Sequence, residues 1–87
     1  MEIGARVGAV QSADNTTVKL YGYGVYEGEE IPPKEVNEFY AEVGITNPKM
    51  TMDNGNVIWG CQCWWGPEKR IKEMIGDRKV EIVVNIT

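Results

Sequence analysis

The chain of 87 residues is 43% hydrophobic and 25% charged, proportions typical of a small globular protein, and we expect a single domain over residues 1–87. Its formal net charge of −4 argues against binding to a nucleic-acid polymer, because contacts to phosphates need a basic surface. No apolar run approaches the roughly 20 residues that span a bilayer, so no membrane partner is expected.

Two strands joined by a turn are predicted at the start of the chain. Apolar residues alternate over residues 3–11, which is the period of a half-buried strand. Turn-forming side chains fill residues 12–16, and residues 17–26 are rich in β-branched and aromatic side chains. Gly22 and Gly24 interrupt one face of the second strand, which marks a bulge or a close approach to the backbone. We expect the two strands to pair as a hairpin.

A first helix is predicted between Pro33 and Gly44. Proline suits the first turn of a helix, and glycine suits its end. Between them, apolar residues recur with the spacing of one helix face, at Val36, Phe39, Tyr40 and Val43. The pattern predicts an amphipathic helix.

A second hairpin is predicted around Asn54-Gly55, the dipeptide most typical of a two-residue type I′ turn. Such a turn would join a strand at residues 49–53 to a strand at residues 57–65. It would also place Met52 directly opposite Val57 in the neighbouring strand.

The chain is predicted to end with a second helix and a last strand. Pro67 and Glu68 suit the first turn of a helix, and residues 79–86 alternate as a strand. The apolar face of this helix would consist of Ile71, Met74 and Ile75. The sequence therefore predicts an α+β fold, a mainly antiparallel five-stranded sheet with two short helices in the order ββα-ββα-β.

Side chains suited to catalysis are scarce. The chain has no histidine, which is the commonest general base near neutral pH and the commonest nitrogen ligand of metals. Ser-His and Cys-His nucleophile pairs are therefore excluded. No pair among the 13 acidic residues stands out by its position. We expect a protein that is not an enzyme and needs no cofactor.

Cys61 and Cys63 are expected to be reduced thiols, because the sequence shows no export signal and a cytoplasmic location is predicted. Two residues apart on a strand, they would share one face as small buried hydrophobic side chains. The alternative is half of a zinc site that another subunit completes, but zinc usually needs four ligands. No metal site is predicted.

The three tryptophans of the predicted strand at residues 57–65 are its most unusual feature. Alternation would place Trp59 and Trp65 on one face with both cysteines, and Trp64 on the other face with Gln62. Large exposed aromatic side chains are usually covered by a ligand or a partner. Either all three tryptophans belong to a core covered on both sides, or at least one of them binds a ligand or an interface.

A site for a nucleotide-like molecule is predicted beside these tryptophans. The backbone N–H of Gly66, at the start of the second helix, could bind a phosphate, with Arg6 or Lys49 reaching across the sheet. Tyr23 lies on a flat strand that could pair with another subunit or could be an ordinary strand residue. The candidate ligand-binding residues are Arg6, Tyr23, Tyr26, Asn47, Lys49, Trp59, Gln62, Trp64, Trp65 and Gly66.

Four segments, at residues 18–28, 47–49, 53–55 and 59–68, look like those of a widespread set of small phage-encoded proteins. Small phage proteins of this size often counter host defence. One such class consists of oligomeric sponges that sequester cyclic-nucleotide alarm signals, as the anti-CBASS and anti-Thoeris proteins do. The resemblance implies a counter-defence role and assigns no site residue.

Three functions remain open from the sequence. The first is a homo-oligomeric, non-catalytic protein that sequesters a cyclic-nucleotide-type immune signal in the host cytoplasm, since pockets between subunits are a usual place for ligands. The second is an acidic inhibitor or adaptor that binds a host protein, which the net charge of −4 favours. A minor virion component is a further alternative.

Overall fold

In a computed structural model that describes residues 1–83, six strands, two α-helices and one turn of 3-10 helix follow one another along the chain. The strands are β1 (Arg6–Ala13), β2 (Thr17–Glu30), β3 (Asn47–Met52), β4 (Val57–Trp59), β5 (Trp64–Pro67) and β6 (Lys79–Ile82). The helices are α1 (Glu38–Val43) and α2 (Glu68–Ile75), and the 3-10 turn is Gly60–Gln62. The predicted α+β class, with a mainly antiparallel sheet and two short helices, is confirmed.

The first hairpin is confirmed, with antiparallel pairing from Arg6 opposite Val25 to Ala13 opposite Val18. Its turn is held by the Asp14 carboxylate, which accepts hydrogen bonds from the backbone N–H groups of Thr16 and Thr17 at 2.8 Å each. Strand β1 begins three residues later than predicted, and β2 continues four residues further than predicted. The longer β2 has room for two different partners along one edge.

Those partners are β3 and β6, and the complete sheet curls. Strand β6 runs parallel to β2 beside residues 17–20, whereas the other neighbours follow the antiparallel order β4-β3-β2-β1-β5. Strands β4 and β5 are the two ends of this order, yet only residues 60–63 connect them. That link can span at most about 13 Å, since a 3-10 turn rises about 2 Å per residue. A flat five-stranded sheet would hold its edges roughly 19 Å apart, so the sheet closes part of the way into a barrel.

Curling gives the sheet an inner and an outer face, each with its own core. The inner core is formed by buried side chains from β1 to β4, with Trp65 and Cys63 packed against them. Its buried members are Val7, Ala9, Tyr21, Tyr26, Met50, Met52 and Ile58. Because the curled sheet covers this core itself, the inner face needs no helix.

Helix α2 covers the outer face. Its buried side chains Ile71 and Ile75 pack against Val10, Val18 and Leu20 of the first hairpin. The predicted apolar face of this helix is confirmed, with Met74 half-buried beside the same cluster.

The last turn of α2 is tied to the first hairpin by Arg78. Its Nε donates to the Ile75 carbonyl at 3.2 Å, and its Nη1 donates to the Asp14 carbonyl at 3.0 Å. Charged donors at the C-terminal end of a helix are favourable, because the last carbonyls lack helical partners. The helix end and the β1–β2 turn are therefore held together.

Helix α1 is shorter than predicted and packs differently. The side chain of Asn37 caps its start by accepting a hydrogen bond from the Tyr40 backbone N–H, and Gly44 ends it as predicted, with a φ of 76°. No residue of α1 is buried. The amphipathic pattern is therefore present, but its apolar side chains Phe39 and Val43 remain in solvent.

The predicted register of the second hairpin is wrong by one residue. Met50 faces Ile58 and Thr51 faces Val57, so Met52 does not lie opposite Val57. Gly55 has a φ of 90°, whereas no other residue of this turn has a positive φ, and a type I′ turn needs two. The connection is instead a three-residue loop at residues 53–55, closed by a hydrogen bond from the Met52 N–H to the Asn56 carbonyl at 2.8 Å.

The predicted strand at residues 57–65 is also wrong, because it is broken in the middle. The 3-10 turn separates β4 from β5 and ends the alternation of faces between Trp59 and Trp64. The last predicted strand is present as β6, and its residues 84–86 lie outside the described residues.

Candidate functional site

Trp59 and Gln62 have structural roles around the 3-10 turn. Trp59 is 6% exposed, and its backbone N–H donates to the side-chain oxygen of Gln62 at 2.9 Å. The Lys49 ammonium lies 5.9 Å from the centre of the Trp59 ring and 3.5 Å from the Glu30 carboxylate. This cation–π contact and ion pair engage Lys49 within the protein. Neither the ring of Trp59 nor the oxygen of Gln62 is presented to a ligand.

Trp65 and Tyr26 form a stacked pair at the inner core. Their ring centres are 5.7 Å apart and their planes differ by 9°. Tyr26 is 8% exposed, and its hydroxyl donates to the Glu29 carboxylate at 3.3 Å. Burial, and then the charge of Glu29, raise the pKa of Tyr26. The pair stabilises the curled sheet by joining β2 to β5, and Trp65 has little free surface for stacking on a base.

Trp64 is the one tryptophan with a largely open surface, since 63% of it is exposed. It lies directly opposite Val10 in the β1–β5 pairing, so its side chain is on the outer face, the one that α2 covers. Trp64 and Trp65 therefore lie on opposite faces, as their adjacent positions in one strand require.

The Arg6 guanidinium lies between two carboxylates. It donates to both oxygens of Asp53 at 2.8 and 2.7 Å, and twice to Glu68 Oε1 at 3.2 and 3.0 Å. The hydrogen bonds to Asp53 and then to Glu68 raise the pKa of Arg6, and the pKa of Asp53 is lowered in turn. A phosphate would have to displace one of these carboxylates in order to reach Arg6.

The start of α2 already carries a negative charge. Gly66 lies in β5 opposite Gly8, and the helix begins at Glu68, whose carboxylate suits the positive end of the helix dipole. Hydrogen bonds from Lys72 and then from Arg6 lower the pKa of Glu68. An anion placed beside Gly66 would be repelled by this carboxylate, which weakens the case for a phosphate there.

Asn47 and Tyr23 are the last two of the ligand-binding residues predicted from the sequence. Asn47 is buried, and its side-chain N–H donates to the Thr46 carbonyl at 3.2 Å. Tyr23 is half-buried on the outer face, with the Lys72 ammonium 5.2 Å from its ring centre. The ten predicted residues thus lie on both faces of the sheet and do not converge on one cavity.

The cysteines differ in their surroundings. Cys61 is exposed, which corrects the prediction that both are buried, and Cys63 is half-buried against the inner core. Burial, and then the proximity of Cys61, raise the pKa of the Cys63 thiol to about 12. Within residues 1–83, no three Cys, Asp or Glu side chains are grouped so that they could hold a metal ion.

A different surface, on and around α1, has the properties of a binding face. Its large apolar side chains are 40–62% exposed, and the helix periodicity gives two of them, Phe39 and Val43, a common face. This α1 apolar patch consists of Ile31, Phe39, Val43 and Ile45. Ile31 lies beside the end of the helix, since a methyl group added at Gly44 would be 3.9 Å from its Cδ1. Sequence periodicity located Phe39 and Val43, but periodicity cannot tell which apolar face the rest of the chain covers.

Acidic side chains surround the patch. Glu38 and Glu42 are one helical turn apart and lie beside Phe39 and Val43 on the helix surface. Lys34 is the neighbouring cation, with its ammonium 3.6 Å from Glu38. An apolar centre with a charged rim is the usual arrangement of a protein–protein interface.

None of the helices within residues 1–83 is both long enough and apolar enough to span a membrane. No protein-family model, curated protein or solved structure shows significant similarity to this chain.

Proposed function

We propose that this protein is a non-catalytic inhibitor or adaptor that acts by binding another protein through the α1 apolar patch. The observation that carries the proposal is the exposure of the apolar side chains Phe39 and Val43 on an amphipathic helix in which no residue is buried. Contiguous exposed apolar side chains are unfavourable in water unless a partner covers them, and they mark interaction sites in small soluble proteins.

A protein partner suits this surface better than a small molecule. Small ligands bind in concave pockets that combine apolar walls with a few polar groups directed inwards. Among the described residues, every buried side-chain nitrogen and oxygen already has a hydrogen-bond partner, so no buried polar side chain there is left for a ligand. The α1 apolar patch lies on the outside of a helix, where a second protein surface can cover it.

The resemblance to small phage-encoded proteins suggests the setting of this interaction. We propose a protein of the host cytoplasm as the partner, and counter-defence as the outcome of its capture.

The proposal is tested by substituting the centre of the patch. The double variant Phe39→Ser/Val43→Ser should fold normally, because both side chains are more than half exposed. Affinity capture from bacterial lysate with the unaltered protein identifies a partner, which is then purified and titrated by calorimetry. We expect the double variant to bind this partner at least about tenfold more weakly.

The matched control is Val57→Ser, which removes an exposed apolar side chain of β4 that is 38% exposed and lies outside the patch. It should bind the partner as the unaltered protein does. Equal affinity of the double variant and the control would refute the proposal, as would the absence of any partner that binds in purified form.

A nucleotide-type ligand is the second candidate, and the exposure of Trp64 is the observation that favours it. A base could stack on this ring, and a homo-oligomer could supply cations from other subunits. Cyclic di- and trinucleotides and ADP-ribose derivatives should then raise the melting temperature of the protein but not of Trp64→Ala, and should be released unchanged by heat. The absence of a thermal shift with all of them would exclude this candidate.

A further inference from the structure

The negative charge of the protein is concentrated around the α1 apolar patch. Residues 27–45 contain six glutamates and one lysine, a net charge of −5, whereas the whole chain carries −4. The remainder of the chain therefore has a net charge of +1. The net negative charge of the chain therefore comes from one region, which comprises the end of β2, α1 and the segment between them.

Two of these glutamates lie where a partner would meet them. Glu38 and Glu42 follow the same side of α1 as the exposed pair Phe39 and Val43. Glu35 is exposed in the turn just before α1. Within residues 1–83, Lys34 pairs with Glu38, and neither Glu35 nor Glu42 forms an ion pair. The rim of the patch therefore keeps charge that has not been neutralised inside the protein.

This charge restricts which surface can cover the patch. A second copy bound through the same patch would bring two acidic rims together, and opposed like charges cost free energy as water is excluded. An anionic partner would be repelled in the same way. A partner with basic side chains around an apolar centre would gain both the burial of apolar surface and the attraction of opposite charges.

We propose that the partner presents a cationic amphipathic surface, with apolar side chains that contact Phe39 and Val43 and with lysine or arginine side chains that face Glu35, Glu38 and Glu42. This inference rests on the proposed function, because it names the chemistry of the partner that the patch binds. Electrostatic attraction across the rim sets which partner is accepted and makes the affinity depend on salt.

A synthetic peptide provides the direct test. The probe is a helical peptide with leucines at i, i+3, i+4 and i+7 and lysines beside them, and its control has glutamates in place of the lysines. In NMR titrations of the full chain, the lysine peptide should shift the backbone amide signals of residues 31–45 and should bind at least about tenfold more tightly than the glutamate peptide. Equal binding, or shifts centred outside residues 31–45, would overturn the inference.

Charge variants separate this inference from the proposed function. Glu35→Gln/Glu38→Gln/Glu42→Gln should weaken binding of the lysine peptide and of the purified partner by about tenfold, and should reduce the salt dependence of both. Glu73→Gln, an exposed acid on α2, is the control and should change neither. If Phe39→Ser/Val43→Ser abolishes partner binding while the triple variant leaves it unchanged, the proposed function stands and the inference is wrong.

Sedimentation of the protein alone tests whether a second copy of this chain covers the patch instead. We expect a monomer at micromolar concentration. A dimer that Phe39→Ser/Val43→Ser converts to monomers would assign the patch to a second copy and would refute the cationic partner.

Discussion

At Gly24 the backbones of β2 and β3 approach each other more closely than any side chain allows. A methyl group at this position would overlap the Thr51 carbonyl oxygen and would lie 2.6 Å from the Met52 Cα. Both are main-chain atoms of the paired strand, so they cannot move aside without loss of the pairing. We expect Gly24→Ala to lower the free energy of unfolding by at least about 2 kcal/mol, as measured by urea denaturation.

Gly66→Ala is the matched control for this prediction. Its added methyl group would come no closer than 3.9 Å, to the Ile71 side chain, and Gly66 does not have a positive φ. The free energy of unfolding should change by less than about 0.5 kcal/mol. Equal effects of the two substitutions would contradict the close approach at Gly24.

Arg6 links the loop after β3 to the start of α2, and its ion pairs make the stability of the protein depend on pH. The pKa values of Asp53 and Glu68 are lowered in the folded protein, so their contribution to stability is complete above the ordinary carboxyl pKa of about 4. It is lost as the pH falls through the lowered values. We expect the urea midpoint to fall between about pH 5 and pH 2, and to fall less in Arg6→Gln.

Some loss should remain in Arg6→Gln. The pKa of Asp14 is also lowered, by hydrogen bonds from the backbone of Thr16 and Thr17 and from the Thr16 hydroxyl. If the variant lost as much stability with acid as the unaltered protein, the Arg6 ion pairs would not contribute to the acid dependence.

Strand β5 presents neighbouring tryptophans with opposite roles. Trp65 stacks on Tyr26 at the inner core, whereas Trp64 is 63% exposed on the outer face. Trp65→Ala should therefore cost about 2 kcal/mol or more of unfolding free energy, and Trp64→Ala less than about 1 kcal/mol. Thermal melts measure both, and a larger cost for Trp64→Ala would contradict this assignment of faces.

Local patterns were sufficient to predict several elements. The first hairpin, the end of α1 at Gly44 and the apolar face of α2 depend on periodicity and on turn or cap residues, which act within a few positions. The parallel pairing of β6 with β2 joins residues more than 60 positions apart, and no local pattern specifies it.

The break between β4 and β5 shows why the candidate site was predicted only in part. If side chains alternated between faces past Gly60, Trp59 and Trp65 would share one face. The chain instead turns there, because the Gln62 side chain accepts a hydrogen bond from the Trp59 N–H. A methyl group at Gly60 would meet Pro48 at 2.9 Å, so the turn also depends on a contact with another strand. The prediction that Trp64 and Trp65 lie on opposite faces was correct. The exposure of α1 could not be predicted, because it depends on which surfaces the rest of the chain covers.

At the scale of the whole molecule, charge is distributed unequally, so acidic residues in different regions should affect stability differently. Glu42 lies one turn from Glu38 in the acidic segment, so Glu42→Gln relieves repulsion and should leave the melting temperature unchanged or slightly higher. Glu68→Gln should lower it, because Glu68 pairs with Arg6 and Lys72. Melting curves at low salt provide the comparison, and equal shifts would contradict it.

The pairing of β1 with β5, which places Val7 opposite Pro67, has a consequence for biosynthesis. Strand β1 can pair with β2 soon after both are made, but its second neighbour, β5, lies more than 50 residues further along the chain. Until then the outer edge of β1 has unpaired backbone N–H and C=O groups, which are open to pairing with another chain. The pairing of β1 on both edges is thus complete only after residue 67 has been made, and newly made chains are most prone to aggregate before that point.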